Sequence, residues 1–214
     1  MKLLPTDKSK WKGLNDDDPL ETQFIVLDIG CNAGNFTQLL YKFLSERTEK
    51  KVTILGIDID STLIKRANEQ NAHRENVLYV TYDITDRTKD IFKGYLEKNN
   101  KKKFDAVFCM SITMWIHLNN GDDGLRQFLD RVHSLSALLI VEPQPWRCYQ
   151  TAMRRLKRAN ISETFPLFEN LQMKRTVESD IRRYIENQCR MEIVYESPPT
   201  KWNRKICFYT TKTA

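Results

Sequence analysis

The amino-acid sequence predicts an α/β fold in which a mostly parallel β-sheet carries helices on both faces. Two observations predict this fold. Short apolar runs without polar alternation, as expected of strands covered on both sides, recur along the chain. Amphipathic segments, with apolar residues three or four positions apart, lie between these runs. Strands that alternate with helices form right-handed βαβ units, and a chain of 214 residues is long enough to bury one core.

The predicted elements follow one another in a regular order. Five buried strands are predicted over residues 24–29, 52–57, 77–82, 104–109 and 137–141. Helices are predicted over residues 34–45, 61–69, 149–160 and 177–189 and around residues 125–132, with Ser61 as the N-cap of the second. No long helix separates two closing strands at 192–195 and 206–210. We therefore expect them to form an antiparallel edge of a seven-stranded sheet.

Composition and charge narrow the class of protein. Residues 1–22 are polar and are interpreted as an extended lead-in to a single domain over residues 23–214. No apolar run is long enough to span a bilayer. The 5 cysteines are widely spaced without a Cys-x-x-Cys pair, which argues against a zinc site and favours a reducing compartment. We expect a monomer without bound metal or membrane contact in the cytoplasm, with the nucleus as an alternative. A net charge of +6 suits a polyanionic partner.

The turn after the first predicted strand has the composition of a nucleotide-binding loop. Residues 28–34 read D-I-G-C-N-A-G. Gly30 and Gly34 permit backbone turns and a close ligand approach that a side chain would block. The free N–H groups of the next helix would face that ligand. This spacing fits neither the G-x-G-x-x-G pattern of dinucleotide sites nor the Walker pattern of P-loops.

Acidic residues end the second and third predicted strands, beside the same loop. The carboxylate of Asp58 can accept both hydroxyls of a ribose. Asp83 is placed to hold an adenine amino group, while Ile84 packs on the ring. Three coordinated strand ends predict a nucleoside-containing cofactor. The candidate cofactor-binding residues are Asp28, Gly30, Cys31, Asn32, Gly34, Asp58, Ile59, Asp83, Ile84 and Met110.

Two longer loops and a basic stretch are expected on the acceptor side of the cofactor. Residues 109–119 follow the fourth strand, and residues 142–146, which read E-P-Q-P-W, follow the fifth. From Arg147 to Arg158 the chain has no acidic residue, which favours contact with a polyanion. Trp202, between Lys201 and Arg204, suits stacking on a nucleobase while the cations bind phosphate.

These motifs resemble those of one enzyme family. The G-C-N of residues 30–32, the M-W-I-H-L-N of residues 114–119 and the E-P-Q-P-W of residues 142–146 are similar to the Bicoid-interacting-protein-three (Bin3-type) RNA methyltransferases. The resemblance covers about residues 24–212. It implies a Rossmann-like class I methyltransferase fold, with S-adenosyl-L-methionine as the cofactor.

The resemblance also implies an acceptor. Members of the family methylate phosphate oxygens at RNA 5′ ends: one branch caps the γ-phosphate of a small nuclear RNA, and the other methylates 5′-monophosphates of precursor microRNA and histidine tRNA. Residues 111–119 resemble the monophosphate branch, and the capping branch has lysine where this chain has Met114. The implied activity is O-methylation of an RNA 5′-monophosphate. The candidate substrate-binding residues are Trp115, His117, Glu142, Gln144, Trp146, Arg147, Arg154, Arg158, Trp202 and Arg204.

The expected chemistry needs no general base. A phosphate oxygen is already anionic near neutral pH, so alignment and partial desolvation carry the reaction. His117 is the candidate phosphate contact, in support of Arg154 and Arg204.

Several alternatives stay open at this point. One is a γ-phosphate capping enzyme. Another is a non-catalytic RNA-binding protein on the same fold, since residues 1–22 lack the Asn-Tyr-Tyr segment with which the family opens. A small-metabolite methyltransferase leaves the basic cluster unexplained. An adenine N-methyltransferase is disfavoured, because residues 109–112 lack the Asn/Asp-Pro-Pro-aromatic motif.

Overall fold

A computed structural model describes residues 4–11, 22–159 and 165–212 and is centred on a seven-stranded sheet. The strand order is β3-β2-β1-β4-β5-β7-β6. β7 is antiparallel to both its neighbours, and the other neighbouring strands are parallel. The predicted parallel sheet with an antiparallel edge is confirmed. The strands are β1 Gln23–Ile29, β2 Lys51–Asp58, β3 Val77–Thr81, β4 Phe104–Met110, β5 Ser136–Glu142, β6 Met191–Glu196 and β7 Cys207–Thr211.

Helices cover both faces of this sheet. Buried residues of α1 and α2 pack with one apolar cluster, and those of α3 to α6 pack with the other. The helices are α1 Asn35–Ser45, α2 Ser61–Glu69, α3 Ile91–Lys98, α4 Thr113–Leu135, α5 Trp146–Arg158 and α6 Val177–Asn187. In the described part of the chain, no helix is long and apolar enough to cross a membrane.

Three local predictions about the helices need correction. α3 was not predicted, because its eight residues are too few to show a clear helical period. The N-cap of α2 is Asp60, whose carboxylate accepts hydrogen bonds from Thr62 N and Leu63 N, and Ser61 is the first helical residue. α4 begins at Thr113 and turns sharply at Gly121, where φ is 70°. The helix predicted over residues 149–160 corresponds to α5, and its predicted end at residue 160 lies outside the described residues.

The described part of the lead-in is packed rather than extended. Residues Lys8–Trp11 form a short 3-10 helix. The Trp11 ring lies 5.6 Å from the ring of Phe43 and 5.4 Å from that of Phe208, and its Nε1 donates to Pro5 O at 2.8 Å. Burial of a tryptophan side chain stabilises the fold most when the ring packs on apolar groups and its N–H keeps a hydrogen-bond acceptor, as it does for Trp11. The predicted lead-in residues 1–3 and 12–21 lie outside the described part, and the domain boundary at residue 23 stays a prediction.

The order of the strands determines where a ligand can bind. β2 and β4 lie on opposite sides of β1, so the connections from β1 and β4 leave the sheet in opposite directions. Such a switch point opens a crevice at the carboxyl ends of parallel strands. The loops that begin at Gly30 and Ser111 both start at this edge.

Candidate functional site

A crevice of about 470 Å³ lies at the carboxyl ends of β1, β2 and β3. It has two carboxylates on one side and apolar side chains on the other. Five of the predicted cofactor-binding residues line it: Gly30, Asp58, Ile59, Asp83 and Ile84. The start of α4 closes the opposite wall with residues the sequence did not single out as ligand contacts, which are Ile112, Ile116, Asn119 and Asn120.

The backbone of Gly30 forms the floor of this crevice. Its φ is +75°, and a Cβ at this position would lie 2.9 Å from Ile112 Cδ1. The N–H groups of Gly30 and Cys31 both donate to Ile57 O, at 2.8 and 3.0 Å. These two bonds attach the loop to the end of β2. A side chain here would displace Ile112 and fill the crevice, so the position requires glycine.

Asp58 joins the loop to the crevice. Its Oδ2 accepts a hydrogen bond from Asn32 N at 2.9 Å, and its Oδ1 accepts one from Asp60 N at 3.0 Å. A carboxylate offers about four acceptor positions, so lone pairs remain for the hydroxyls of a ligand. Asn32, with φ of 53°, therefore acts through its backbone, by holding this carboxylate.

A residue from a distant helix holds the turn that carries Asp83 and Ile84. Asp83 Oδ1 accepts hydrogen bonds from Thr85 N at 2.8 Å and from Thr85 Oγ1 at 2.7 Å. Arg131 of α4 donates to Ile84 O, Asp86 O and the hydroxyl of Tyr82, each at 2.6 Å. This arginine fixes the turn after β3. Sequence reasoning missed it, because no local pattern connects a helical arginine with a turn more than forty residues before it.

Five predicted cofactor contacts do not line the crevice. Asp28 is 1% exposed and accepts a hydrogen bond from Thr37 Oγ1 at 2.6 Å. Burial raises the pKa of Asp28 to about 6. Successive side chains of a strand point to opposite faces, so Ile29 reaches the crevice and Asp28 points away from it. The other four are Cys31, Asn32, Gly34 and Met110.

These residues support the loop instead of lining the crevice. Cys31 is buried and Met110 packs against the apolar cluster on the α1 side of the sheet. Gly34, with φ of +80°, precedes α1, and its O accepts a hydrogen bond from Tyr79 Oη at 3.1 Å. A Cβ on Gly34 would lie 2.6 Å from that oxygen. In the structure these positions shape the loop beside the crevice, and direct cofactor contact at them stays a prediction.

A second, larger cavity of about 840 Å³ adjoins the crevice. Four parts of the chain that are distant in sequence line it, namely residues 111–115, residues 144–159, Phe165 and residues 201–204. The indole of Trp115 lines both this cavity and the crevice. It is 44% exposed, so the two spaces meet at a single side chain that solvent also reaches. We name the second space the acceptor cavity.

Arg204 contacts three side chains at the edge of the acceptor cavity. Its Nη1 donates to Ser111 Oγ at 2.9 Å and lies 3.7 Å from Glu142 Oε2, and Ser111 Oγ donates to the same carboxylate. Its Nη2 lies 3.4 Å from Cys148 Sγ. Glu142 is 4% exposed and does not line the cavity. The predicted role of Glu142 as a substrate contact is thus corrected: it is the counter-ion that orients Arg204.

Gln144 fixes the turn between β4 and α4. Its Oε1 accepts hydrogen bonds from Thr113 Oγ1 at 2.9 Å and Met114 N at 3.1 Å, and its Nε2 donates to Ser111 O. The side chain borders the cavity but is 2% exposed. Because its amide already has partners at both ends, Gln144 holds the wall in place.

Trp202 offers the most accessible aromatic surface of the cavity. Its side chain is 56% exposed. Arg147 Nη2 donates to Trp202 O at 2.5 Å, Lys201 Nζ lies 4.4 Å from the ring centroid, and Arg204 Cζ lies 5.8 Å from it. An exposed indole with cations beside it can stack on a base next to a bound phosphate.

Comparisons with known proteins identify the family to which this chain belongs. Residues 104–211 match the family model described as Bicoid-interacting protein 3 (Bin3), and residues 27–137 match a methyltransferase domain. An RNA 5′-monophosphate methyltransferase of Mus musculus is 37% identical over 92% of this chain and 72% of its own length. The chain belongs to the Bin3 family. A pre-miRNA 5′-monophosphate methyltransferase of Danio rerio is 34% identical over 86% of this chain and 76% of its own length.

Solved structures place this Bin3-family chain in the class I methyltransferase fold. The N-methyltransferase NodS of Bradyrhizobium japonicum, in complex with S-adenosyl-L-homocysteine, superposes with a TM-score of 0.54 at 13% identity. The superposition covers 89% of this chain and 79% of NodS. At this identity the likeness concerns the fold alone, and it confirms the predicted Rossmann-like class I architecture.

His117 of this Bin3-family protein lies away from both spaces. Its side chain is fully buried, with Nδ1 3.1 Å from the Tyr149 hydroxyl and Nε2 3.4 Å from Asp122 Oδ1. Burial lowers the pKa of His117. Asp122 also accepts hydrogen bonds from the N–H groups of Gln172 and Met173, at 2.9 and 2.8 Å. The predicted phosphate contact by His117 is wrong; the residue joins α4 to α5 inside the core.

Trp146 is also a packing residue. Its ring stacks on that of Phe168 at 5.1 Å with an angle of 5°, lies 5.0 Å from that of Tyr149, and does not line the cavity. The indole is half-buried and packs on these two rings, so the structure gives Trp146 a packing role, and its substrate contact stays a prediction.

The helical rotation of α5 separates its arginines. Arg147 and Arg155 line the acceptor cavity, whereas Arg154 and Arg158 do not. Arg155 follows the cavity-lining Cys148 by seven residues, which is about two helical turns, so the two side chains face the same side of α5. Sequence reasoning chose Arg154 and Arg158 without knowing which side of α5 faces inward. Among the described residues, no group of three or more His, Cys, Asp or Glu side chains could hold a metal.

Proposed function

We propose that this Bin3-family protein transfers a methyl group from S-adenosyl-L-methionine to the 5′-monophosphate of an RNA. The observation that carries the proposal is that Trp115 lines both a crevice with acidic strand ends and a cavity with arginines. A methyl donor in the first would have its reactive end next to a phosphate in the second. The names of the mouse and zebrafish relatives, an RNA and a pre-miRNA 5′-monophosphate methyltransferase, support the choice of acceptor.

The chemistry of the crevice fits S-adenosyl-L-methionine. Asp58 retains acceptor positions for the ribose hydroxyls, and Asp83 has its second carboxylate oxygen for an adenine amino group. Ile59, which is 69% exposed, and Ile84 offer apolar surface for the ring. The backbone of Gly30 leaves the floor open. When bound, this cofactor would supply a methyl group on a positively charged sulfur.

The acceptor cavity suits a phosphate of modest charge. Arg204 and Arg147 bind the phosphate oxygens, and Trp202 stacks on the first base. Glu142, at 3.7 Å, offsets part of the charge of Arg204. Met114 contributes apolar wall where the capping branch of the family has lysine. These features favour a monophosphate over a triphosphate, which carries more negative charge.

The site needs no residue that removes a proton. A phosphate monoester already has an anionic oxygen near neutral pH, unlike a ribose hydroxyl. Two titratable side chains of the predicted site have other roles: His117 is buried in the core, and Glu142 holds Arg204 and Ser111. The remaining work of the protein is to orient the phosphate and to exclude water from the meeting point.

Incubation of three matched RNAs with labelled methyl donor tests the proposal. The RNAs share one sequence and carry a 5′-monophosphate, a 5′-hydroxyl or a 5′-triphosphate. We expect label on the monophosphate RNA and none on the hydroxyl RNA. Faster labelling of the triphosphate RNA would favour the capping activity, and binding of RNA without any transfer would favour a non-catalytic RNA-binding protein. Equal labelling of the hydroxyl RNA would refute phosphate methylation. Trp202→Ala should lower kcat/KM by about 10-fold, as expected for one lost base stack.

A further inference from the structure

One face of α5 carries a straight line of polar and cationic side chains. Arg147, Thr151, Arg154 and Arg158 are spaced by four, three and four residues, which places them on one line along the helix. Eleven residues of helix correspond to a length of about 16 Å. We name these four residues the α5 basic stripe. Within α5, Tyr149 is the buried residue, so the helix is largely accessible.

The stripe begins at the lining of the acceptor cavity and continues along its rim. Arg147 and Thr151 line the cavity, and Arg154 and Arg158 continue the same line just outside the lining, beside the cavity-lining Arg155 and Ala159. The first member is held in place, because Arg147 Nη2 donates to Trp202 O at 2.5 Å. Any chain that enters the cavity alongside α5 therefore passes the two outer arginines.

The outer arginines have no partner for their charges among the residues that the structure describes. Both Arg154 and Arg158 are exposed, and within the described ranges neither forms an ion pair or a hydrogen bond through its side chain. On α6, by contrast, Arg182 pairs with Glu186 at 2.8 Å and Arg183 pairs with Asp180 at 3.2 Å. Arg158 also suits the negative end of the α5 dipole, but Arg154 lies before the last turn and gains little from it.

We propose that the α5 basic stripe binds the backbone phosphates of the nucleotides that follow the 5′ end of the acceptor RNA. The proposal rests on the proposed function, because it takes the cavity to hold the 5′ terminus. A single phosphate occupies only one end of a line about 16 Å long. Regularly spaced phosphates of one polynucleotide match free guanidinium groups along a helix, and the contacts carry no sequence preference. The stripe thus makes turnover depend on RNA length.

The double variant Arg154→Ala/Arg158→Ala tests the stripe. Activity is measured on 5′-monophosphate RNAs of 2 and 12 nucleotides, at several salt concentrations. We expect the ratio of kcat/KM for the 12-mer to that for the 2-mer to fall about 10-fold. The slope of log kcat/KM against log salt for the 12-mer should decrease by about 1.4, since each single-strand phosphate contact contributes about 0.7.

A matched control removes the same charge elsewhere. Lys102→Ala/Lys103→Ala also loses two cations, but at the amino end of β4, the opposite edge of the sheet from the cavity. We expect its length ratio and its salt slope to equal those of the wild type. Melting temperatures of both double variants identify any loss of folded protein, including the small loss expected for Arg158 at the helix end.

The outcomes separate this proposal from the proposed function. An unchanged length ratio in Arg154→Ala/Arg158→Ala would overturn the stripe while RNA methylation stands. Equal decreases in both double variants would mean a general effect of net charge and would also overturn it. If the wild type methylates no RNA, the proposed function fails; the binding of a 12-mer, followed by fluorescence anisotropy, then still decides whether the stripe contacts RNA.

Discussion

The crevice and the acceptor cavity are neighbours, but they are built in different ways. One wall of the crevice consists of residues at the carboxyl ends of three adjacent parallel strands, and the start of α4 forms the other. Hydrogen bonds between neighbouring strand ends, such as Gly30 N to Ile57 O and Asn32 N to Asp58 Oδ2, hold the first wall in place. The acceptor cavity combines side chains from residues 111 to 204 that only the packing of α4, α5 and the loop before β7 brings together. In the proposed function, the cofactor site therefore depends on sheet topology, whereas the acceptor site depends on helix orientation and on the ion pair between Arg204 and Glu142.

A substitution of Asp28 tests whether its carboxyl group is buried beneath the loop that borders the crevice. Its pKa is raised to about 6 by burial, so the folded protein is most favoured when Asp28 is protonated. Its stabilising contribution is present below the unfolded pKa near 4 and is lost as pH rises through about 6. Asp28→Asn should therefore raise the free energy of unfolding by about 3 kcal/mol at pH 7.5 and by about half as much at pH 5. Urea unfolding at both pH values measures this, and a pH-independent difference would show that Asp28 is not buried in this way.

Asp58→Ala should have the largest effect on the cofactor. The variant loses the acceptor for ribose hydroxyls and also the hydrogen bonds that hold Asn32 N and Asp60 N. We expect S-adenosylhomocysteine to bind about 100-fold more weakly, as for two lost hydrogen bonds to a charged group. Calorimetric titration measures this. Asp60→Ala is the matched control: it should cost about 1 kcal/mol of stability through the lost helix cap, with nearly unchanged affinity. Equal losses would assign the effect to the α2 terminus.

Arg204→Ala should affect the acceptor and spare the cofactor. Loss of a charge-assisted phosphate contact is expected to lower kcat/KM for 5′-monophosphate RNA about 30-fold. The affinity for S-adenosylhomocysteine should stay the same. Lys205→Ala removes a neighbouring cation that pairs with Glu196 and does not line the cavity. If both variants lose activity equally, Arg204 has no specific role.

His117→Phe should lower stability more than activity. The Tyr149 hydroxyl loses its ring-nitrogen partner, and Asp122 loses one of its contacts, which costs about 1–2 kcal/mol at pH 7.5. Because burial lowers the pKa of His117, only the unfolded chain binds its proton as pH falls below about 6.5, so this residue favours unfolding there. The cost of the variant should thus be smaller at pH 5.5. A large loss of kcat/KM at unchanged stability would restore His117 as a phosphate contact.

The sheet was predictable because buried strands leave a local record. Continuous apolar runs such as residues 24–29 and 137–141 identified β1 and β5, and the missing helix before β7 identified the antiparallel edge. The short helix α3 was not predictable from its pattern. Nor was the packing of Trp11, since its partners Phe43, Phe108 and Phe208 lie far along the chain.

The two halves of the site differ in the same respect. Parallel strand ends meet at one edge, so Asp58 and Asp83 were placed in the crevice from sequence alone. The face of the sheet to which each strand residue points was harder to predict: the side chain of Asp28 points away from the crevice, towards Thr37. On the acceptor side, Arg155 and not Arg154 lines the cavity, which the sequence could not show, because its periodicity identifies a helix but not which side of that helix faces inward. No sequence signal indicated that Glu142 and Ser111 orient Arg204.

In the proposed function, the methyl donor and the phosphate acceptor meet at Trp115. A crystal structure with S-adenosylhomocysteine and a short 5′-monophosphate RNA tests it most directly. We predict that the cofactor occupies the crevice, that the terminal phosphate contacts Arg204, and that its nearest oxygen lies about 5 Å from the cofactor sulfur, which leaves room for one methyl group at a near-attack distance. A phosphate bound outside the acceptor cavity, or separated from the sulfur by the Trp115 indole, would contradict the account.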